Sequence, residues 1–223
     1  MDVFEALATR RSIRGFRPDP VPRAVLERLL SAASRAPSGS NIQPWRVRVT
    51  QGAEKARLSA ALRAAHEAGA AAPREYEYYP RTWREPYLAR RRKVGFGLYA
   101  LAGVARGDLA AANAQRARNF DFFGAPIGLF FTVDRDLEQG SWLDFGMFLQ
   151  SVMLAARGVG LDTCPQAAFC DHHDVVRRVL GLAEEQTMVC GMSLGFEDTG
   201  EPTSALVTER AALADFVTFG PEA

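Results

Sequence analysis

Histidine and cysteine are scarce in this chain, with three of each among 223 residues. Cys164, Cys170 and Cys190 form no CxxC pair and, being odd in number, cannot all be paired, which suits a reducing compartment. His66 stands alone, and the adjacent His172 and His173 would point about 100° apart on a helix, so no metal-ligand spacing is present. No apolar run reaches the ~20 residues of a membrane span, and Met1-Asp2-Val3-Phe4-Glu5 lacks the basic start and apolar core of a signal peptide. An excess of one charge is missing too. The formal net charge of +1 argues against a general nucleic-acid surface, whose footprint is a clear basic excess. The expectation is a soluble, cytoplasmic protein with neither nucleic acid nor membrane as partner. GxxxxGK[ST] is absent, and GxGxxG does not occur as a strand-to-helix turn, so the P-loop and the classical dinucleotide-binding mode have no support.

What is present is core. Hydrophobic residues make up 48% of the chain, no repeat or low-complexity linker divides it, and a single α+β domain over residues 1–223 is expected. Val3, Phe4, Leu7 and Ala8 give a short amphipathic helix, and Val25, Leu26, Leu29, Leu30 and Ala33 a second over 23–35. Residues 46–50 alternate charged and apolar side chains as a strand does. An alanine-rich helix is expected over 53–72, another resuming at 93–105, and one capped by Asp108 that reaches Phe120. Ile127 to Val133 reads as a strand buried on both faces, and Thr187 to Gly195 as another. Between them Ser141-Trp142-Leu143-Asp144 has the form of a capping box opening a central buried helix through Arg157. Leu161 to Phe169 is expected to be extended, Asp171 to cap a short helix through Leu180, and Asp215 to Phe219 to alternate as a strand.

Three stretches carry chemical rather than packing signals. Ala36-Pro37-Ser38-Gly39-Ser40-Asn41-Ile42-Gln43-Pro44-Trp45 concentrates hydroxyl and amide groups that want partners, although the same residues also build ordinary turns. Arg10, Arg11 and Arg14 flank the Ser12 hydroxyl. They suit either an anion site or a helix C-terminus with Gly15 as its cap. Residues 76–92 mix Tyr76, Tyr78, Tyr79, Trp83 and Tyr87 with Arg81, Arg84 and Arg90 to Arg92, as a lid over a flat anionic ligand or a subunit contact would. A Cys164 and His172 couple for acyl transfer is a further alternative.

Arg10-Arg11-Ser12-Ile13-Arg14 with Phe16, the 36–45 loop, Phe122-Phe123-Gly124-Ala125-Pro126, Gly160 to Ala167 and a late Arg210 occur in an order and spacing that resembles the FMN-dependent nitroreductase family over nearly the whole chain. The resemblance implies a three-layer α/β/α fold with a mostly antiparallel central sheet, in an obligate homodimer whose C-terminal tail extends onto the partner subunit. It implies one FMN in each of two interface sites. Arg10, Arg11, Ser12 and Arg14 would hold the phosphate and pyrimidine side of the flavin, and Pro37, Ser38, Gly39, Ser40, Asn41 and Gln43 of the other subunit would lie along the ring. Pro165, Gln166 and Ala167 would pass near N5, and Arg210 would contact the phosphate. Residues of about 73–95 match the family's variable covering region. Thr203-Ser204 and Thr208 stand where members often carry asparagine and lysine. The activity implied is ping-pong transfer from NADH or NADPH through flavin N5 to a small aromatic nitro or quinone acceptor, with no side chain as catalytic base. Reductive dehalogenation and flavin fragmentation on the same scaffold are the alternatives.

Overall fold

In the computed structural model, which describes residues 1–220, four strands form one antiparallel sheet in the order β1-β2-β4-β3. They are β1 (Arg46–Gln51), β2 (Ile127–Asp134), β3 (Asp162–Gln166) and β4 (Gln186–Gly195). β2 and β4 are central, and their burial explains the near-continuous apolar runs of both. Alternate side chains of β2 part to opposite faces. Leu129, Phe131 and Val133 pack against α2 (Arg23–Ala33) and α6 (Gln139–Gly158), while Phe130 joins Leu58 and Leu62 of α3 (Gly52–Glu67) and Val175, Val176 and Leu180 of α7 (His173–Leu180). The expected three layers are present, with two helices on each face of the sheet.

Close approach fixes two glycines. A Cβ on Gly128 would lie 2.3 Å from the Phe122 ring, and one on Gly191 would lie 2.3 Å from Phe169, so both rings sit flat on the sheet where larger residues would push them off. Phe122 and Phe123 themselves hold φ of 55° and 53°, in the left-handed region that costs a non-glycine residue about 1 kcal/mol or more. Their burial in the second core offsets that cost.

Several elements differ from the sequence reading. α1 (Val3–Thr9), capped by Asp2, ends before the arginine motif, so Gly15 is not its cap. α4 (Tyr87–Leu101) starts right after Pro86, six residues earlier than the apolar spacing alone indicates, because proline preorganises a first turn and arginine and leucine extend it readily. α5 (Leu109–Ala117) is capped by Asp108 as expected. α6 begins at Gln139, which places Ser141 inside its first turn and releases Asp144 from the capping box. Asp171 pairs with Arg74 instead of capping α7, and β3 ends at Gln166 in a 3-10 turn over Ala167–His172. The C-terminal alternation forms no strand among the described residues. It makes a 3-10 turn at Leu213–Asp215 and leaves Phe216 and Phe219 exposed, since the chain supplies no partner edge to it.

Candidate functional site

The segment after α1 runs beside β3. Ile13, buried as an anchor, donates its N–H to Thr163 O at 3.1 Å, and Ser12 bridges Thr163 in parallel. Alternation along this extended stretch separates the arginines. Arg11 turns to Glu197 at 3.0 Å and to Ser204 O at 2.6 Å, so it ties the motif to the late chain. Arg14 donates to Ser12 O, and its own carbonyl accepts from Arg118 at 3.2 Å and Thr203 Oγ1 at 3.3 Å. Arg118 also grips Glu201 at 2.7 Å, which holds that carboxyl below its usual range. Gly15 lies flat on Glu201, whose Cβ would be 2.2 Å from any added Cβ.

Arg10 has no carboxylate among the described residues. Burial lowers its pKa first, the nearby charge of Arg210 lowers it further, and Cys164 opposes both. Arg210 lies near enough for its charge to be felt, while its Nη1 donates to Thr208 O, Thr208 Oγ1 and Glu209 O; like charges in one neighbourhood cost energy until an anion arrives. They are the one place in the motif where a doubly charged group is called for, and the match to a phosphate is bidentate in kind.

At the end of β3, Gln166 is buried. Its Nε2 donates to Asn119 O at 2.9 Å, and its Oε1 accepts from Ser193 Oγ at 2.6 Å. With the side chain occupied inward, only the backbone of Pro165, Gln166 and Ala167 is left to meet a ligand. Asn119 joins Arg14, Leu98, Tyr99 and Phe123 around a cavity of about 90 Å³.

The 36–45 loop is built differently. Ser40, Asn41 and Gln43 hold φ of 49°, 57° and 51°. Strain at three of four consecutive non-glycine positions, with Ile42 between them at φ −72°, persists where surrounding contacts over-determine the backbone. Here Ser38 Oγ accepts from Gln43 N at 3.0 Å and Asp144 Oδ2 accepts from Gly39 N at 3.0 Å. Pro37, Gly39, Ser40, Asn41 and Gln43 are exposed, and Pro44 and the Trp45 ring, stacked 4.6 Å from Phe148, fasten the loop's end. Asp144 lies in the first half of α6, whereas Arg157 at the far end bonds Asp162 and Thr9, beside Arg10. Thirteen residues of helix separate those two, about 20 Å at 1.5 Å each. One copy of the chain therefore brings Arg10, Ser12, Arg14, Pro165 to Ala167 and Arg210 together, and holds Pro37 to Gln43 at the other end of α6.

The hydrolase alternative fails on geometry. Cys164 is buried and pushed up to about 11 by burial, which outweighs Arg14 and Arg10, and no hydrogen bond joins it to His172, whose ring packs on Phe120 at 5.0 Å and His66 at 6.2 Å. The aromatic excursion is moored at its base. Glu75 is enclosed by Arg135, Arg177 and the Met188 amide, and Tyr76 donates to Val189 O and lies against Trp142. Asp144, Arg118, Glu201 and Ser193 all position site segments, and nothing in their local sequence marks them. Asp144 in particular carries the signal of a helix cap.

The chain matches the family model described as "Nitroreductase family" over residues 7–196. It is 40% identical over 219 residues to the 4-nitrobenzoate reductase of Pseudomonas putida, covering 98% of this chain and 96% of that one. It is also 40% identical over 218 residues to the nitrobenzene nitroreductase of Ectopseudomonas oleovorans, with 97% and 96% covered. Its fold superposes with a TM-score of 0.95, at 38% identity and over 100% of each chain, on the crystal structure of the FMN and NADPH-dependent nitroreductase NfnB of a Sphingopyxis strain, HMH.

Proposed function

Because this chain belongs to the nitroreductase family, we propose that it is an FMN-dependent oxidoreductase that takes reducing equivalents from NAD(P)H and delivers them to nitroaromatic, and also quinone, acceptors. The observation that carries the reading is the extended 10–14 segment held along β3, with Ile13 N–H on Thr163 O at 3.1 Å and Ser12 bridging Thr163, which sets the arginine motif beside Pro165 to Ala167. FMN held there would supply the two-electron redox chemistry that couples the donor to the acceptor.

The chain's own residues bind, orient and exclude water. Arg10 and Arg210 take the phosphate, with Arg14 and Ser12 beside them. Pro165 to Ala167 offer backbone groups to the flavin's reactive edge, and no side chain moves a proton as a base. Pro37 to Gln43 come from the second copy of a homodimer, because in one copy they stand an α6 length away from the arginines. The exposed, strand-patterned tail around Phe216 and Phe219 reaches onto the same partner. Donor and acceptor occupy one face by turns, which is ping-pong kinetics.

The test is the colour and size of the purified protein. A yellow dimer that releases FMN and, in the absence of oxygen, oxidises NADPH beyond one equivalent per flavin only when a nitroaromatic is supplied supports the reading. A colourless protein, or a monomer with bound flavin, sinks it.

A further inference from the structure

Cations are distributed unevenly in this chain. Between Arg81 and Arg106 there are seven, against a single acid, Glu85, although the whole protein carries only +1. Elsewhere most arginines near β-strands and loops have carboxylate partners, as Arg11, Arg118, Arg135 and Arg177 do. Here Glu85 is engaged by the Ala89 amide at 3.1 Å, and among the described residues Arg90, Arg91 and Arg92 reach no acid. All three are exposed in the first half of α4, where cations oppose the helix dipole. Arg91 stacks on Trp83 at 4.7 Å, an arrangement that holds the guanidinium plane and leaves its N–H edge outward.

α4 is joined to the flavin-side anion set. Lys93 bonds Glu209, the neighbour of Arg210, at 2.6 Å. A Cβ on Gly97 would stand 3.3 Å from Leu206, and Leu98 and Tyr99 share the cavity with Arg14. The arginine run thus directly precedes Lys93 on α4, whose partner Glu209 adjoins Arg210.

Magnitude decides what the run would take. The flavin phosphate carries about two negative charges and already has Arg10, Arg14 and Arg210. A carboxylate on the acceptor carries one and needs a single guanidinium. A ligand bringing a second phosphomonoester of about two charges matches three further arginines. Resting on the reading that NAD(P)H is the donor, we propose that the exposed first half of α4, where Trp83 holds Arg91, and Arg90 and Arg92 flank it on either side of the helix, is the site of the 2′-phosphate of NADPH, and that it makes the enzyme select NADPH over NADH.

The experiment uses the flavin-loaded protein, its R90Q/R91Q/R92Q variant, and R28Q/R57Q/R178Q as an equal-charge control at exposed positions of α2, α3 and α7. Dissociation constants of NADP⁺ and NAD⁺ are measured by calorimetric titration, and kcat/KM for NADPH and NADH with nitrobenzene as the uncharged acceptor. The expected result is a fall of about tenfold in the NADP⁺ to NAD⁺ affinity ratio and in the matching kcat/KM ratio, in line with a few exposed charge pairs. The fall should vanish in the control. Unchanged ratios, or an equal fall in the control, overturn the assignment while leaving a yellow, active enzyme. A loss seen only with 4-nitrobenzoate as acceptor assigns the arginines to the acceptor carboxylate and also overturns it. A wild-type protein that lacks flavin overturns the underlying reading first.

Discussion

The carboxylate of Asp144 accepts a hydrogen bond from the backbone N–H of Gly39 at 3.0 Å, joining α6 to the exposed polar loop of residues 36–45. Asp144 is buried and the loop is not, so a rigid helix dictates where a strained surface segment presents Ser40, Asn41 and Gln43. In the proposed homodimer, where the loop would serve a flavin bound largely by another subunit, its placement would set how well two copies close over one ring.

Asp144→Ala removes the acceptor, and a hydrogen bond to a charged group is worth about 1.5–3 kcal/mol. The variant should fold with a thermal midpoint lowered by several degrees and bind FMN about tenfold more weakly, the equivalent of ~1.4 kcal/mol. Asp144→Asn keeps an acceptor of the same shape and should recover most of both. Wild-type FMN affinity in Asp144→Ala, measured by flavin fluorescence, would refute a role for the tether.

Arg10→Ala and Arg210→Ala should each weaken FMN by about tenfold to a hundredfold, the range of a charge-assisted hydrogen bond. Riboflavin, which lacks the phosphate, should bind the variants as it binds the parent. The flavin-free protein supplies a second reading, because Arg210→Ala relieves the like charge on Arg10 and should not lower its thermal midpoint. Equal losses for FMN and riboflavin would place the two arginines somewhere other than the phosphate.

The sheet and its two helical layers were legible because period-2 and helical patterns report burial directly. Phe130 and Phe131 point to opposite faces of β2 as the strand pattern requires. The motif arginines were visible as a cluster, but their division was not. Arg11 meets Glu197 across 186 residues of chain, and no spacing rule reaches that far. The same holds for Arg118 with Glu201 and for Asp144 with Gly39. Local sequence gives Asp144 a helix-capping pattern, and the tertiary fold uses its carboxylate elsewhere. The tail misled for the opposite reason, since a strand pattern states what a segment can pair with and not whether its partner lies in the same chain.

His172 is 4% exposed, packed against Phe120 and His66, with its Nδ1 lacking a hydrogen-bond partner. Burial lowers its pKa first and His66 lowers it further, while the Ala70 backbone, Asp171 and Asp174 pull the other way. The folded state thus binds this proton less readily than the unfolded chain, whose histidine titrates near 6.5. Stability from this group is complete above about pH 6.5 and declines as the pH falls below it, by at most ~1.4 kcal/mol per pH unit. Thermal midpoints from pH 7.5 to 5 should fall more steeply for the parent than for His172→Phe. Parallel curves would show that the buried imidazole does not titrate on unfolding.

Ser193 lies wholly buried in β4 and donates to Gln166 Oε1 at 2.6 Å, while Gln166 Nε2 donates to Asn119 O at 2.9 Å and to Asn119 Oδ1 at 3.2 Å. These bonds connect a central strand, the end of β3 and the 3-10 segment before β2, so the backbone of Pro165 to Ala167 has little freedom. Ser193→Ala leaves a buried amide oxygen without a donor, at a cost of about 1–3 kcal/mol, and Ser193→Thr, which restores the hydroxyl with one added methyl, should recover part of it. A packing role alone would change stability in both variants and nothing else. If the network sets the distance from the 165–167 backbone to the flavin, Ser193→Ala should also shift the flavin absorption band and its midpoint potential, and Ser193→Thr should move both back. A destabilised Ser193→Ala enzyme with an unaltered spectrum and potential would confine this network to holding the fold.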